Sequence, residues 1–210
     1  MGKRIITIAR QTGSGGHEIA ERLAEKLNIP LHDRNLLEEA AKELQIECAN
    51  DVDEKLVVDY IEKFAKGYHA IFGKGKLYHM MEHTAEEEET ISDQMYAVQS
   101  RLIQELAEAG PCVIVGRCAD YVLREREDVL RVFICAEKEQ RVQRMMERRS
   151  LTHERAVNAV EFSDRDRGKY YKHCTNKKWG VPESYDVTLN VTALGIEGTV
   201  EYLTALFQAE

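Results

Sequence analysis

Three prolines and a single tryptophan in 210 residues, with no long apolar run, set the first limits on this chain. A membrane-spanning helix needs ~20 consecutive apolar residues, and no stretch approaches that length. The N-terminus shows no apolar core of a signal peptide, so neither a membrane nor an export route is expected. The five cysteines, Cys48, Cys112, Cys118, Cys135 and Cys174, are odd in number and scattered, without a C-x-x-C pair. That excludes a disulfide framework and a structural zinc site, and leads to the expectation of a reducing, cytoplasmic setting. Positive charge is not in excess either. The formal net charge is −8, which argues against a nucleic-acid binder, whose footprint would be basic. Repeats and low-complexity linkers are missing too.

What is present is an ordinary globular composition, 43% hydrophobic and 31% charged. The length suits one α/β domain with an insertion and is short for two independent cores. The charge is unevenly spread. Between Arg141 and Lys178 there are eleven Lys/Arg against five Asp/Glu, a basic segment on an acidic chain. Such a segment fits a small anionic ligand better than a polymer.

Five short β-branched runs read as buried parallel strands: 4–9, 30–32, 112–115, 130–135 and 186–191. Helical patterns follow at 17–27, 35–44, around Asp120, at 137–149 and at 196–207. Alternation of this kind predicts right-handed crossovers and a three-layer α/β domain with a five-stranded parallel sheet. Residues 45–110 break the alternation with a mostly helical, acidic insertion. Its Glu86–Glu89 run reads as a solvated face, and Ser92–Ala109 as a helix with Met95, Val98, Leu102 and Leu106 at helical spacing. An insertion at this place serves as a lid over the site or as a homodimerisation arm, and the pattern fits both.

The first strand runs into Arg10-Gln11-Thr12-Gly13-Ser14-Gly15-Gly16-His17 and then into a helix with Ile19, Ala20, Leu23, Ala24 and Leu27 on one face. Strand, glycine turn and helix N-terminus are the geometry in which backbone N–H groups converge on a phosphate. A standard phosphate loop, G-x-x-x-x-G-K-[ST], also carries a lysine for the β/γ-phosphates and a hydroxyl for Mg2+. With Gly15 as the second glycine, Arg10 stands at the first glycine, Gly16 at the lysine and His17 at the hydroxyl. The scaffold is present without two of its chemical side chains.

Four further groups carry chemistry. A buried strand ends in Gly116-Arg117, which places a guanidinium at the sheet edge that holds the phosphate loop. Asp120, one turn on, either orients Arg117 and meets a ligand or simply caps a helix. Asp33, followed by Arg34, is likewise either an N-cap or a carboxylate placed to activate a hydroxyl or to lie behind a Mg2+-bound water. Arg141, Arg144 and Arg148 share a helix face at i, i+3 and i+7. They lead to Asp164-Arg165-Asp166-Arg167, an alternation suited to a closing segment in which arginines reach phosphate oxygens and aspartates orient them.

Together these segments resemble the cytidylate kinase-like branch of the nucleoside-monophosphate kinases. The similar features are the I-T-I strand before a glycine loop, the strand end Leu31-His32-Asp33, Gly116-Arg117, and the late Asp164–Arg167 run. GSGG-x-E-I-A and VIVGRCADY look closer to kinase-like relatives than to true cytidylate kinases. The likeness covers about residues 4–44 and 92–204. It implies a P-loop kinase fold over residues 1–210, with 45–110 as the helical acceptor-binding region and 141–178 as an arginine-rich lid. It also implies transfer of the γ-phosphoryl of ATP, with Mg2+, to a nucleoside monophosphate or another small phosphate acceptor. The alternative is a catalytically weak nucleotide-binding protein that signals to a partner.

Under this resemblance Arg10, Asp33, Arg117, Arg165 and Arg167 are the catalytic candidates. Nucleotide phosphates fall to Arg10, Thr12, Gly13, Ser14, Gly15, Gly16, His17, Arg141, Arg144 and Arg148. The acceptor falls to Arg34, Arg117, Asp120, Asp164 and Asp166, and no direct metal ligand is identified. Arg10, entering the loop from the strand side, is the expected replacement for the missing lysine.

Overall fold

The computed structural model describes residues 2–33 and 91–209 of the chain. The expected helix at 35–44, Arg34 and the first part of the insertion lie outside the described residues.

Strand β1 (Ile5–Arg10) leads through the glycine turn into helix α1 (Gly16–Leu27) and the short strand β2 (Leu31–His32). Helix α2 (Ile91–Ala109) precedes β3 (Cys112–Val115), the single turn α3 (Ala119–Val122) and β4 (Val129–Cys135). Helices α4 (Lys138–Arg149) and α5 (His153–Thr175) follow, then β5 (Val187–Asn190) and α6 (Val191–Gln208). All pairings are parallel, in the order β2-β3-β1-β4-β5. Every strand therefore ends on the same side of the sheet, and β1, the central strand, delivers the glycine turn to the middle of that edge.

Alternation along β1 separates two cores. Ile6 and Ile8 pack on one face with Ile19 and Leu23 of α1 and Leu203 of α6, all fully buried. Ile5 faces the other way, with Ile114, Val129, Ile103 of α2 and Leu123. A period of two along the strand thus makes three layers. A third, smaller cluster (Val142, Met145, Ala156 and Val160) joins α4 to α5 and gives this helix pair an apolar seam of its own.

Differences from the expected boundaries are small, with two exceptions. The last helix begins at Val191, capped by the Asn190 side chain, and breaks at Gly195 (φ 69°, ψ 171°) before continuing. Periodicity placed its start only after that break. The basic region after Arg149 is one continuous helix, α5, whose N-cap Thr152 accepts the Arg155 N–H through its side-chain oxygen.

Candidate active site at the carboxyl edge of the sheet

The loop between β1 and α1 is held open by its glycines. Gly13 and Gly15 have φ of 77° and 87°, left-handed values that favour glycine. A Cβ on Gly13 would lie 2.5 Å from the Arg141 carbonyl oxygen, and one on Gly15 2.5 Å from Ile196 Cδ1. The Ser14 hydroxyl, fully buried, donates to Gln11 O at 2.8 Å, and Gln11 Oε1 accepts the Ala136 N–H at 3.2 Å. The loop is therefore shaped by its own polar groups. Gly15 caps α1 without any side-chain hydrogen bond, so no side-chain oxygen closes off the first turn of amides.

Gly16, at the lysine position, has a definite steric reason. Its Cβ would sit 2.5 Å from Arg10 Cβ and 2.9 Å from Arg10 Cγ. The Arg10 stem fills the space through which a residue-16 side chain would leave the backbone. Arginine at 10 and glycine at 16 are one arrangement, not two unrelated departures.

One flank of the loop is built by α4 and α5. Arg141, 8% exposed, donates to Thr12 O at 3.2 Å and pairs with Asp164 Oδ2 at 2.5 Å. Asp164 Oδ1 accepts the Thr12 N–H at 2.7 Å. Arg144 donates to Gly13 O at 3.0 Å, and Arg167 donates to Arg10 O and to Thr12 Oγ, both at 2.9 Å. Asp164 and Arg167, at i and i+3, reach the loop from one face of α5.

The other flank comes from the ends of β1, β2 and β3. Asp33 lies between Arg10 Nη2 at 3.6 Å and His17 Nδ1 at 2.8 Å, while His17 Nε2 meets Glu21 at 3.2 Å. Burial acts to raise the Asp33 carboxyl pKa, but the His17 hydrogen bond and the Arg10 charge outweigh it and hold the value below the ordinary one. His17 is shifted upward, chiefly by its hydrogen bond to Asp33. Next to them Gly116 (φ 75°) and Arg117 (φ 55°) turn the chain after β3, and the Arg10 guanidinium lies directly against Gly116. Enclosure by the protein, then the charges of Arg10 and Arg117, push Arg167 down to about 9, so it stays cationic at neutral pH. Three guanidiniums therefore converge beyond the strand ends. Arg117 has no ion-pair partner among the described residues. Such a concentration of positive charge can attract an anion.

The remaining candidates lie apart from this convergence. Arg165 is exposed and stacks over Phe162 at 5.1 Å, and Asp166, raised in pKa by burial, is also off the loop-facing pair. Arg148 pairs with Glu18 on α1. Asp120 is 5% exposed and accepts the Tyr171 hydroxyl at 2.6 Å, so it ties α3 to α5. Burial raises its pKa against that hydrogen bond. Gln11, Glu18 and Tyr171 are contributors that sequence reasoning missed. Tyr171 stands seven residues after Asp164 and four after Arg167, a spacing legible once the helix is known to be unbroken. No cluster of three or more metal-ligating side chains occurs among the described residues, and no described helix is long and apolar enough to cross a membrane.

A model of the cytidylate kinase-like family matches residues 5–193. No curated protein sequence matches the chain. The fold is similar to that of an uncharacterized protein from Eubacterium ventriosum, with 24% identity, 99% of this chain and 100% of that chain covered, and a TM-score of 0.72. It is also similar to a shikimate kinase from Bacteroides thetaiotaomicron (14% identity, 98% of each chain, TM-score 0.52). A gluconokinase from Sinorhizobium meliloti aligns at 15% identity over 98% of this chain and 91% of its own, with a TM-score of 0.50. These likenesses show a P-loop kinase fold.

Proposed function

The chain belongs to the cytidylate kinase-like family, and from that premise we propose that it transfers the γ-phosphoryl group of ATP to the phosphate of a nucleoside monophosphate or a similar small acceptor. The observation that supports this reading best is the exchange of Arg10 for the loop lysine. The Arg10 stem crosses the Cβ position of Gly16, so a cation still enters from the strand side where the lysine is absent. In phosphoryl transfer the protein contributes position and positive charge rather than covalent chemistry. Arg10, Arg117 and Arg167 provide both at one edge.

The donor's phosphates fit the loop, because its glycines leave no room for side chains and the first turn of α1 has no side-chain cap. The fit to Mg2+ is narrower. The usual hydroxyl is His17, the Thr12 hydroxyl accepts from Arg167 and the Ser14 hydroxyl donates to Gln11, which leaves the Asp33 carboxylate to face metal-bound water. When bound, Mg2+ would neutralise phosphate charge. Asp33 would orient it from behind, and Arg117 would meet the acceptor phosphate.

One contact favours the second reading, a nucleotide-binding protein with little turnover: Arg10 pairs with Asp33 instead of standing clear of any carboxylate. A coupled ADP-release screen over nucleoside monophosphates and other small phosphates separates the two. Release well above the ATP-only rate with one acceptor is expected. ATP binding with no acceptor-dependent release would favour the second reading.

A further inference from the structure

The C-terminal half of α5 is fastened to its neighbours by three contacts. The Tyr171 hydroxyl donates to Asp120 Oδ2 at 2.6 Å, Tyr170 donates to Gln99 Oε1 at 3.3 Å, and His173 Nε2 meets Asp93 Oδ1 at 2.8 Å. All three precede Cys174 on α5, and Asp120, which Tyr171 holds, stands two residues after Cys118, the N-cap of α3. The two thiols therefore share this junction, Cys118 5% exposed and Cys174 half-buried, and each shifts the pKa of the other. Both are free thiols. Cys118 directly follows Arg117, and both have left-handed backbones, φ 56° and 55°. The same strained turn therefore aims the buried thiol at α5 and the guanidinium at the site.

We infer that Cys118 and Cys174 form a two-electron redox pair whose disulfide ties the Arg117 turn to α5 and slows the phosphoryl transfer proposed above. The pairing rests on the α3/α5 junction that Tyr171 and Asp120 close; its effect on turnover rests on the proposed function. Cys174, the half-buried partner, meets the oxidant. The neighbouring Cys118 thiol, partly offset by burial, holds its pKa below the ordinary thiol value, while Cys118 is raised by Cys174 and by burial. With a peroxide as oxidant, the Cys174 thiolate attacks one oxygen and the O–O bond breaks. A water leaves after protonation, and Cys174 becomes a sulfenic acid. The Cys118 sulfur then attacks Cys174, an S–S bond forms, and the sulfenic oxygen leaves as a second water. Two thiols lose two electrons and two protons, and one peroxide becomes two waters. A thiol reductant reverses the bond by exchange.

The consequence follows from what α5 carries. Asp164 and Arg167 hold the phosphate loop from this helix, two to three turns before Cys174. A covalent link at the far end fixes that group relative to Arg117. Other thiols are placed differently: Cys112 is buried within β3, and Cys135 donates to Leu189 O at 3.4 Å.

The test treats the full chain with hydrogen peroxide and digests it without reductant. Mass spectrometry should find the Cys118 and Cys174 peptides joined, lighter by two hydrogens and separated by dithiothreitol. ADP release should fall about tenfold or more on oxidation and return on reduction. Cys174→Ser and Cys174→Ala should keep basal turnover and resist peroxide. Over-oxidation of Cys174 to the sulfinic acid, or its pairing with Cys48, would overturn the pairing. A 118–174 link that leaves turnover unchanged would overturn the switch. If no acceptor supports turnover in the reduced protein, the proposed function fails while the cross-link still decides the pairing. Nucleotide-dependent hydrogen exchange across α5 then replaces turnover as the second measurement.

Discussion

On the α4/α5 flank of the phosphate loop, Arg141 and Arg144 spend their N–H groups on the loop's own carbonyls, and Asp164 takes the Thr12 amide. On the β2/β3 flank, Arg10 and Arg117 crowd around Asp33 and face Arg167 of α5, whose pKa is depressed by enclosure in the protein and then by their charges. The residue type is the same on both sides. What differs is what the guanidiniums hold: the loop's carbonyls on one side, a carboxylate shared by more than one cation on the other. Guanidiniums bonded to the loop shape it, whereas those crowded around one carboxylate can attract an anion, and the two flanks should therefore answer mutation differently, in stability on one side and in ligand on the other.

The largest effect is expected on the α4/α5 flank. Arg141→Met keeps much of the volume but strips Asp164 of its short ion pair. Breaking a buried pair from one side costs about 3–5 kcal/mol. Asp164 retains the Thr12 amide and Arg167 at 3.8 Å, so the lower end, about 3 kcal/mol, is the expected loss. Denaturant unfolding measures it. A loss below about 1 kcal/mol would mean that the flank does not scaffold the loop.

That contrast was only partly visible in the sequence. Ile5, Ile6 and Ile8, the Cys112–Val115 run and the glycines at 13 and 15 announce a strand, a core and a phosphate loop through periodicity and backbone need. The strand order was not visible, because it depends on which apolar faces meet across the sheet. The reach of Asp164 to Thr12 was hidden for the same reason, since it joins residues 152 positions apart. Reading Asp164–Arg167 as one stripe also concealed a helical fact. Residues 164 and 167 share a face, while Arg165 points to solvent. Asp33 stood evenly between helix cap and chemical group, and its bonds to His17 and Arg10 connect it to the site.

On the β2/β3 flank, Arg10→Ala should lower ATP affinity or turnover by at least tenfold, about 1.4 kcal/mol, with the melting temperature nearly unchanged. The comparison sharpens with a second change. Alanine at position 10 keeps the Cβ that would lie 2.5 Å from a residue-16 Cβ, so Arg10→Gly with Gly16→Lys should recover part of the affinity lost in Arg10→Ala, whereas Gly16→Lys alone should clash with the Arg10 stem. A double variant no better than Arg10→Ala would sink the exchange of one cation for the other. The two flanks also predict where nucleotide is felt. Hydrogen exchange across residues 161–173 should slow on adding ATP and Mg2+ if α5 closes over phosphates. Unchanged exchange there, with binding confirmed independently, would leave its arginines to the surface or an oligomer interface.

The smallest expected effect concerns His17, where the β2/β3 flank carries a titratable cation. The groups facing it are Asp33 at the end of β2, Glu21 one turn along α1, and Arg10 from β1, which opposes its charge. The Asp33 hydrogen bond raises its pKa above the free value of about 6.5. Its contribution to stability is therefore fully present below about pH 6.5 and lost as pH rises through the higher folded value. Asp33, held low, has the opposite window, with stability present above its unfolded pKa of about 4 and lost as pH falls further. Between these limits both groups are charged and the pair is at its strongest. His17 is about half exposed, and solvent screening reduces the benefit to about 0.5 kcal/mol or less. The stability difference between the wild type and His17→Asn should accordingly shrink as pH rises from about 6 to 8, while the Arg141→Met deficit stays constant over the same range. Parallel curves for wild type and His17→Asn would show that His17 holds Asp33 as a neutral hydrogen-bond donor, and the flank would then owe its positive charge to its arginines alone.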